Sequence, residues 1–472
     1  MQPPDIDELV ALDHGHVWHP FTPMRQWRER RPIIIERAEG AELVAVDGQR
    51  YVDGVSSLWC NVHGHRVPAI DQAVRDQLDR VAHTTMLGLG SVPSIRLAAR
   101  LAGLAPGALS KVFYSDAGAT ATELAFKMAA GYFFHAHGEQ RDLFVGVHGA
   151  YHGDTVGSMS VGYSELFHRP FEKMVFRCEW APAPDVSHVD GWNGPAPGDD
   201  GLRRWALEDA AHVERVRDDA LRGMDELLTR LGRRVAAVVV EPLVQGAAGI
   251  IVHPPGYLAG VAELAAKHGT LLVADEVATG FGRTGRMFAC EHEGVEPDIL
   301  CLGKGLTGGY LPLAATLATD RVEQAFCGEL TEHRTLYHGH TYTGNPLACA
   351  AALASLDLFD QSGLLDAVRA KAERLRTALR PLRDARRYPH VIDVRQRGLM
   401  VGIELSADGS RATGFDPSRR LGYEVCDGCR AQGVIVRPLG NVVVLMPPLG
   451  IEPALLDRLA EVVVAQIGEL SK

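Results

Sequence analysis

Residues 271–277, Leu271-Leu272-Val273-Ala274-Asp275-Glu276-Val277, decide the fold class of this chain. The apolar run is long enough for one buried strand, and it ends in two acids. Similar runs of Val, Ile and Leu recur at 143–148, 235–241 and 299–303, separated by segments with helical spacing. Short apolar strands that alternate with helices are typical of a mostly parallel sheet covered on both faces. The sequence therefore predicts an α/β protein with a large domain built on such a sheet.

The two ends of the chain have a different pattern. Residues 1–57 predict an irregular arm followed by short antiparallel strands, and the C-terminal part predicts a small antiparallel sheet covered by helices. We predict that 1–57 contributes to a small domain, that 58–345 forms the large domain, and that 346–472 completes the smaller α+β domain. Residues 181–200, rich in Pro, Gly and Asp, predict an insertion loop on the surface.

Charge and hydropathy exclude several classes of protein. The chain has 472 residues, with 48 Lys and Arg against 59 Asp and Glu, so its formal charge is −11. Nucleic-acid binding needs a basic face, which this balance disfavours. No apolar run reaches the ~18 residues that span a bilayer, and the acidic N-terminus lacks the features of a signal sequence. With eight scattered cysteines, the sequence predicts a reduced, cytoplasmic protein that acts on small molecules.

Two charged residues stand at predicted strand ends. Asp275 lies at the carboxyl edge of a parallel sheet, where ligands collect, and Lys304 follows an apolar run with glycine on both sides. A buried aspartate needs a positive partner, such as a protonated ring nitrogen. An uncrowded lysine can be an amine nucleophile. The alternatives are a helix-capping Asp275, a structural ion pair of Asp275 with Arg283 or Arg286, and a lysine that reaches the surface.

Residues 114–121, Tyr-Ser-Asp-Ala-Gly-Ala-Thr-Ala, join a predicted strand to a long helix. Small residues let backbone N–H groups approach a ligand, and a helix N-terminus favours an anion such as phosphate. The segment matches neither a Walker loop nor a dinucleotide fingerprint, so a nucleotide is not indicated. Tyr151, after the next strand, can stack on a planar cofactor or pack beneath a loop. The pairs His63-Gly64-His65 and His338-Gly339-His340 lack metal-ligand spacing, so we predict no metal site.

Taken together, these segments resemble the class III aminotransferases, pyridoxal 5′-phosphate enzymes of fold type I, over residues 18–448. The motifs that carry the resemblance are Tyr151-His152-Gly153-Asp154-Thr155, Glu241-Pro242, Asp275-Glu276-Val277, Gly280-Phe281-Gly282-Arg283-Thr284-Gly285 and Lys304. Ala278 departs from the Gln that many ω-aminotransferases carry there. Within the class, the chain is most similar to the branch that aminates 8-amino-7-oxononanoate in biotin synthesis, through residues 18–22, 288–293, 302–309, 343–350 and 437–440.

The resemblance implies roles for residues around the cofactor. Lys304 would condense with the aldehyde of pyridoxal 5′-phosphate and act as the catalytic base. Asp275 would pair with the pyridinium nitrogen, and Tyr151 would lie against the ring. Gly118 and Ala119 would hold the phosphate through their backbone N–H groups.

The resemblance also implies a homodimer with shared active sites. His340 and Thr341 of the partner subunit would reach the phosphate. Arg437 is suited to the nonanoate carboxylate because its forked guanidinium can bind both oxygens. The residues expected to meet the substrates are Phe21, Leu58, Trp59, Tyr151, Lys304, Gly339 and Arg437.

Two positions bear on the amino donor. The branch that uses S-adenosylmethionine carries Tyr where this chain has Phe21, and a Trp pair where it has Leu58-Trp59. Residues 58–65 and 79–83 look more like the branch that uses lysine. The resemblance therefore favours lysine over S-adenosylmethionine. The alternatives are another ω-aminotransferase acting on diamines or ω-amino acids, a relative that isomerises or decarboxylates, and a non-catalytic protein that retains the fold.

Overall fold

A seven-stranded mixed sheet forms the centre of the computed structural model, which describes residues 5–411 and 419–470. The strands are β1 (Ile35–Glu39), β2 (Glu42–Ala45), β3 (Arg50–Asp53), β4 (Leu109–Ser115), β5 (Leu143–Val147), β6 (Glu179–Ala181), β7 (Val235–Val240), β8 (Val244–Gln245), β9 (Ile251–Val252), β10 (Leu271–Asp275), β11 (Ile299–Leu302), β12 (Ala314–Thr319), β13 (Val391–Arg397), β14 (Met400–Leu405), β15 (Val434–Ile435), β16 (Arg437–Leu439) and β17 (Val442–Leu445).

Helices cover both faces of this sheet and surround the smaller ones. They are α1 (Ile6–His16), α2 (Met24–Arg28), α3 (Ser56–Trp59), α4 (Pro68–Leu78), α5 (Val92–Leu104), α6 (Gly118–His137), α7 (Val156–Val161), α8 (Glu165–His168), α9 (Ala210–Leu231), α10 (Tyr257–Lys267), α11 (Asp320–Gln324), α12 (Pro346–Ser362), α13 (Leu364–Ala378), α14 (Leu421–Ala431) and α15 (Pro453–Glu469).

The large sheet has the order β4-β12-β11-β10-β7-β5-β6. Its strands run parallel from β11 to β6, whereas β12 is antiparallel to both of its neighbours. All six residues of β7 are buried, as expected for a central strand covered on both faces. The prediction of an α/β fold with a mostly parallel central sheet is confirmed, and the antiparallel β12 is the feature that apolar patterning did not show.

Two smaller sheets join distant parts of the chain. Strand β3 pairs in parallel with β15, so the N-terminal strands share a sheet with a strand close to the C-terminus. The other sheet, β13-β14-β17-β16, is antiparallel, and α14 lies against its β16 edge. This arrangement agrees with a small α+β unit assembled from both chain ends. The boundaries after residues 57 and 345 stay a prediction.

The N-terminal arm is more regular than predicted. Helix α1 begins after Asp5, whose carboxylate accepts hydrogen bonds from the backbone N–H groups of Asp7 and Glu8. Farther along, Asp13 accepts hydrogen bonds from the Trp27 indole at 2.6 Å and from His19 at 2.8 Å. The expectation of an irregular arm was therefore wrong for this stretch, because a capping acid and two side-chain contacts order a segment with no buried face.

The insertion at 181–200 is not a simple surface loop. His188 bridges two carboxylates, with its Nδ1 2.8 Å from Asp185 and its Nε2 2.7 Å from Glu404 in β14. Hydrogen bonds to both acids raise the pKa of His188 to about 10, so its imidazole is a cation at neutral pH. The neighbouring Ser187 is fully buried. The first half of the segment therefore docks on the small antiparallel sheet, through long-range pairs that composition alone does not reveal, whereas residues 190–200 are exposed or half-buried and form a surface loop as predicted.

The eight cysteines are all free thiols. Cys426 and Cys429 are buried on α14, and burial raises the pKa of both thiols. In the two described ranges, no helix combines the length and the apolarity needed to cross a bilayer.

Candidate active site

A cavity of about 390 Å³ opens at the carboxyl ends of the parallel strands. This is the edge of an open α/β sheet at which ligands bind. Six of the predicted site residues line the cavity: Trp59, Gly118, Ala119, Tyr151, Asp275 and Lys304. The sequence motifs that contain them are far apart along the chain, so the sheet topology is what brings them together.

Asp275 forms a buried pair with a histidine. Its side chain is 4% exposed, and its Oδ2 lies 2.7 Å from Nδ1 of His152, while Oδ1 accepts the backbone N–H of Val277 at 3.0 Å. Burial alone would lower the pKa of His152, but the hydrogen bond and the charge of Asp275 outweigh it and raise the pKa. His152 is thus the side-chain hydrogen-bond partner of this buried carboxylate.

The two arginines offered as alternative partners of Asp275 are bound elsewhere. Arg283 donates hydrogen bonds to the carbonyl oxygens of Pro447 and Asn61 and to the hydroxyl of Ser56. Arg286 donates to a backbone carbonyl. The alternative of a structural ion pair between Asp275 and either arginine is therefore wrong.

The second acid of the doublet faces away from the cavity. Glu276 is fully buried, and its carboxylate accepts the backbone N–H groups of Ala289 at 2.7 Å and Cys290 at 2.8 Å. Burial raises the pKa of Glu276 to about 7 against these hydrogen bonds. Successive side chains of an extended segment point in opposite directions. Asp275 therefore points into the cavity, whereas Glu276 binds the loop that follows.

Lys304 stands two residues beyond β11, between Gly303 and Gly305. Its backbone has φ +41°, a left-handed conformation that costs about 1–3 kcal/mol in a residue other than glycine. Its Nζ lies 5.0 Å from the centroid of the Trp59 ring. Burial lowers the pKa of the Lys304 amine, and the charges of Asp275 and Glu241 oppose this shift. The lysine therefore faces the cavity and does not reach the outer surface.

Glu241 secures the loop that carries Tyr151. Its Oε1 accepts the backbone N–H of Tyr151 at 3.0 Å, and its Oε2 accepts that of Gly246 at 2.9 Å. Burial and the charge of Asp275 raise the pKa of Glu241 to about 7, although His152 acts in the opposite direction. Glu241 and His152 belong to sequence motifs, but their positions beside the cavity could not be predicted from those motifs.

The first turn of α6 forms a cradle for an anion. Gly118 and Ala119 open this 20-residue helix, where backbone N–H groups have no acceptor within the helix. A Cβ atom at Gly118 would lie 2.5 Å from the Val277 side chain, and one at Gly153 would lie 2.3 Å from Cβ of Ala119. Only glycine fits at both positions. Ser158 fixes the turn through a 2.8 Å hydrogen bond to the carbonyl of Ala119.

These groups fit pyridoxal 5′-phosphate. The helix start offers N–H groups and a favourable dipole for a phosphate. The buried carboxylate of Asp275 suits a protonated ring nitrogen, and the desolvated amine of Lys304 suits an aldehyde. Tyr151 lines the cavity between them. The residues present therefore match the three functional groups of this cofactor.

Other predicted residues lie outside the cavity. At its mouth, Cζ of Arg437 is 6.0 Å from the Phe21 ring centroid, and Leu58 is half-exposed beside Trp59. Nδ1 of His340 lies 2.7 Å from Asp116, just before the cradle. The exposed Gly339 and Thr341, on either side of His340, do not line the cavity of their own chain.

The histidine pairs make ordinary polar contacts. His63 lies 3.0 Å from the carbonyl and the hydroxyl of Ser355, and Nε2 of His65 lies 3.0 Å from Asp53. In the part of the chain that the structure describes, no group of three or more His, Cys, Asp or Glu side chains is arranged to hold a metal ion.

Comparisons with known proteins agree with this site. Residues 24–467 match the family model described as aminotransferase class-III. The chain is 52% identical over 457 residues to the adenosylmethionine-8-amino-7-oxononanoate aminotransferase of Nitratidesulfovibrio vulgaris, with 96% of this chain and 80% of that protein covered. The crystal structure of the protein of the same name from Methanocaldococcus jannaschii superimposes with a TM-score of 0.89 at 41% identity, covering 98% and 99% of the two chains.

A second solved structure is that of an (S)-enantioselective omega-transaminase from Thermomicrobium roseum, with a TM-score of 0.88, 33% identity and all of both chains covered. The family model spans almost the whole chain, and the buried Asp275, Lys304 and the glycine cradle lie within it. The chain therefore belongs to the class III aminotransferases, enzymes that depend on pyridoxal 5′-phosphate.

Proposed function

We propose that this enzyme transfers an amino group to 8-amino-7-oxononanoate and forms 7,8-diaminononanoate, a step of biotin synthesis, in the cytoplasm. The observation that carries the proposal is the full-length similarity, 43–52% identity, to several proteins that are named for this acceptor. Arg437 at the mouth of the cavity supports it, because a guanidinium suits a substrate with a carboxylate far from its reacting ketone.

Asp275 and Lys304 perform the central steps. Bound pyridoxal 5′-phosphate supplies an electron sink and carries the amino group between substrates. Asp275, held by His152, would keep a proton on the ring nitrogen of the bound cofactor. Nζ of Lys304 would remove the proton from the donor carbon that bears the amino group and return one at C7 of the acceptor. Because the deaminated donor would leave before the acceptor binds, we expect a rate law of the ping-pong type.

The remaining residues bind and orient. Gly118 and Ala119 hold the phosphate, and Tyr151 lies against the ring. Glu241 keeps Tyr151 in place through its backbone N–H. Arg437 binds the carboxylate of the acceptor, and burial of the cavity excludes water from the proton transfers.

Lysine is the donor that we propose. The adenine of S-adenosylmethionine would gain from flat aromatic faces at both residues 58 and 59. Leu58, which is 51% exposed, offers none, and Trp59 is only 8% exposed with its ring centroid 5.0 Å from Nζ of Lys304. Phe21 lacks a hydroxyl that could bind either substrate. The names of the relatives give adenosylmethionine, which makes it the alternative donor.

Turnover of 8-amino-7-oxononanoate with each donor tests both parts of the proposal. We expect 7,8-diaminononanoate to form with lysine at least about tenfold faster than with S-adenosylmethionine, since missing contacts in a binding site are worth about this factor. Mass spectrometry of the product is the measurement, with Lys304→Ala as the blank. Faster product formation with S-adenosylmethionine would overturn the donor assignment. If no product formed with either donor, the proposed acceptor would be wrong. An ω-aminotransferase that acts on diamines or ω-amino acids would then be favoured.

A homodimer with shared active sites is the proposed assembly. Leu87, Leu89 and Ile95 are apolar and more than half exposed, and the exposed Tyr342 lies with its ring centroid 4.8 Å from that of His83, tilted by 50°. Contiguous exposed apolar side chains of this kind mark an interface. His340 and Thr341 of the partner subunit would then reach the phosphate across it, and Gly339 would meet the substrate. We expect sedimentation at twice the chain mass at micromolar concentration; sedimentation as a monomer that retains full activity would contradict shared sites.

A further inference from the structure

Phe167 lies at the mouth of the cavity and belongs to none of the sequence motifs. Two series of contacts connect it to the proposed substrate and cofactor residues. Phe167 belongs to the short helix α8. Its ring lies edge-on to that of Phe21, with 6.1 Å between centroids and 87° between planes. The guanidinium carbon of Arg437 also lies over the Phe21 ring, 6.0 Å from its centroid. Phe21 therefore contacts both Phe167 and the charge proposed to bind the substrate carboxylate.

The second series joins α8 to the cofactor cavity. Asp154 accepts the hydroxyl hydrogen of Tyr151 at 2.8 Å, and its other oxygen lies 3.8 Å from Nε2 of His168, the neighbour of Phe167. Nδ1 of His168 accepts the backbone N–H of Ser164 at 2.9 Å, which secures the start of α8. Asp154 thus lies between Tyr151 and the helix that carries Phe167.

The charge of Arg437 also acts on Tyr151. Burial and the bond to Asp154 raise the pKa of the Tyr151 phenol, and the charge of Arg437 opposes this shift. Arg437 is therefore within electrostatic reach of Tyr151. Tyr151, Phe167, Phe21 and Arg437 are therefore linked by successive contacts beside the cavity, and two of the four carry apolar rings.

The acceptor has a matching order of groups. In 8-amino-7-oxononanoate, five methylenes separate the C1 carboxylate from the C7 ketone. We infer that Phe167 is a specificity-determining residue, whose ring, together with that of Phe21, covers these methylenes while Arg437 binds the carboxylate. The side chain of Phe167 is 43% exposed, so it has surface left to bury against an alkyl chain. This inference rests on the proposed acceptor.

Three acceptors separate the contribution of each group. The first is 8-amino-7-oxononanoate, the second is its amide, which keeps the methylenes and loses the charge, and the third is 3-aminobutan-2-one, which keeps only the reacting end. We expect Phe167→Ala to lower kcat/KM about tenfold for both nine-carbon acceptors and by less than about twofold for the short one. Arg437→Ala should lower kcat/KM for the acid and leave the amide nearly unchanged.

Two further variants control for general damage. Phe171→Ala removes another aromatic ring close by in the chain, 46% exposed, and should leave all three acceptors unaffected. Phe167→Leu keeps apolar area and should recover part of the lost activity. The inference is overturned if Phe167→Ala leaves kcat/KM for the acid unchanged, or lowers it equally for all three acceptors. A wild-type enzyme that ignores both nine-carbon acceptors yet uses another amine acceptor would instead overturn the proposed function.

Discussion

Lys304→Ala is expected to reduce turnover by at least about 10²–10⁴-fold, the usual worth of a positioned general base. The variant loses both the amine that binds the cofactor aldehyde and the group that moves the proton. Among the described residues that line the cavity, Lys304 is the one lysine, and its side chain lies beside Trp59. Stopped-flow and steady-state assays with the proposed substrates provide the measurement.

Spectroscopy separates loss of chemistry from loss of fold. The wild-type enzyme should absorb visible light through its lysine-bound cofactor, and Lys304→Ala should show only the spectrum of the free aldehyde, held through its phosphate. Lys267→Ala is a suitable control, because Lys267 is exposed and pairs with Asp225 on the surface. Partial recovery of the Lys304→Ala variant by added methylamine would support the role as a base. Wild-type turnover of Lys304→Ala would refute the assignment.

Asp275→Asn is expected to lower turnover by about 10²–10³-fold, in the range found when a preorganised electrostatic partner is removed. The amide has the shape of the carboxylate but no charge, so it cannot keep the ring nitrogen protonated. His152 would also lose the charge that, with the 2.7 Å hydrogen bond, raises its pKa. The proton-transfer half-reaction should therefore slow, while the phosphate contacts at α6 remain.

Glu276→Gln is the matched control for this experiment. Glu276 is the adjacent acid, equally buried, yet it binds the backbone of Ala289 and Cys290 and not the cavity. We expect Glu276→Gln to reduce thermal stability and to keep most of the turnover per folded molecule. The decisive comparison is the rate of the donor half-reaction in the two variants. Near-normal rates in Asp275→Asn, or an equal loss in both variants, would show that the charge of Asp275 is not what matters.

The strands and helices of the large domain could be predicted because the sequence features that indicate each of them lie within a few residues. The apolar run 271–275 is strand β10, and the small residues before α6 mark a strand-to-helix turn. The run 299–303 likewise contains β11, so the ends that carry Asp275 and Lys304 could be located. Helix α1 could not be predicted from hydrophobic periodicity because it has no buried residues and therefore no apolar face.

The partners of these residues were not predictable from the pattern. His152 pairs with Asp275 across 123 positions of the chain, and it follows β5 whereas Asp275 ends β10. The assignment of Asp275 to the cavity and Glu276 to the loop depends on the direction in which each side chain points at the end of β10. Phe167 carries no motif, and its place at the mouth follows from the fold of the segment after Tyr151.

By itself, the amino-acid sequence determined the α/β class, the strand ends that bear Asp275 and Lys304, and the glycine-containing turn, since hydrophobic periodicity and turn chemistry act over a few residues. Only the tertiary structure decided that His152 is the partner of Asp275, that the first half of the 181–200 segment binds the small sheet, and that Phe167 lies beside Phe21. These contacts join residues distant along the chain, and their energy depends on burial and on pairing across the fold, which no local pattern encodes.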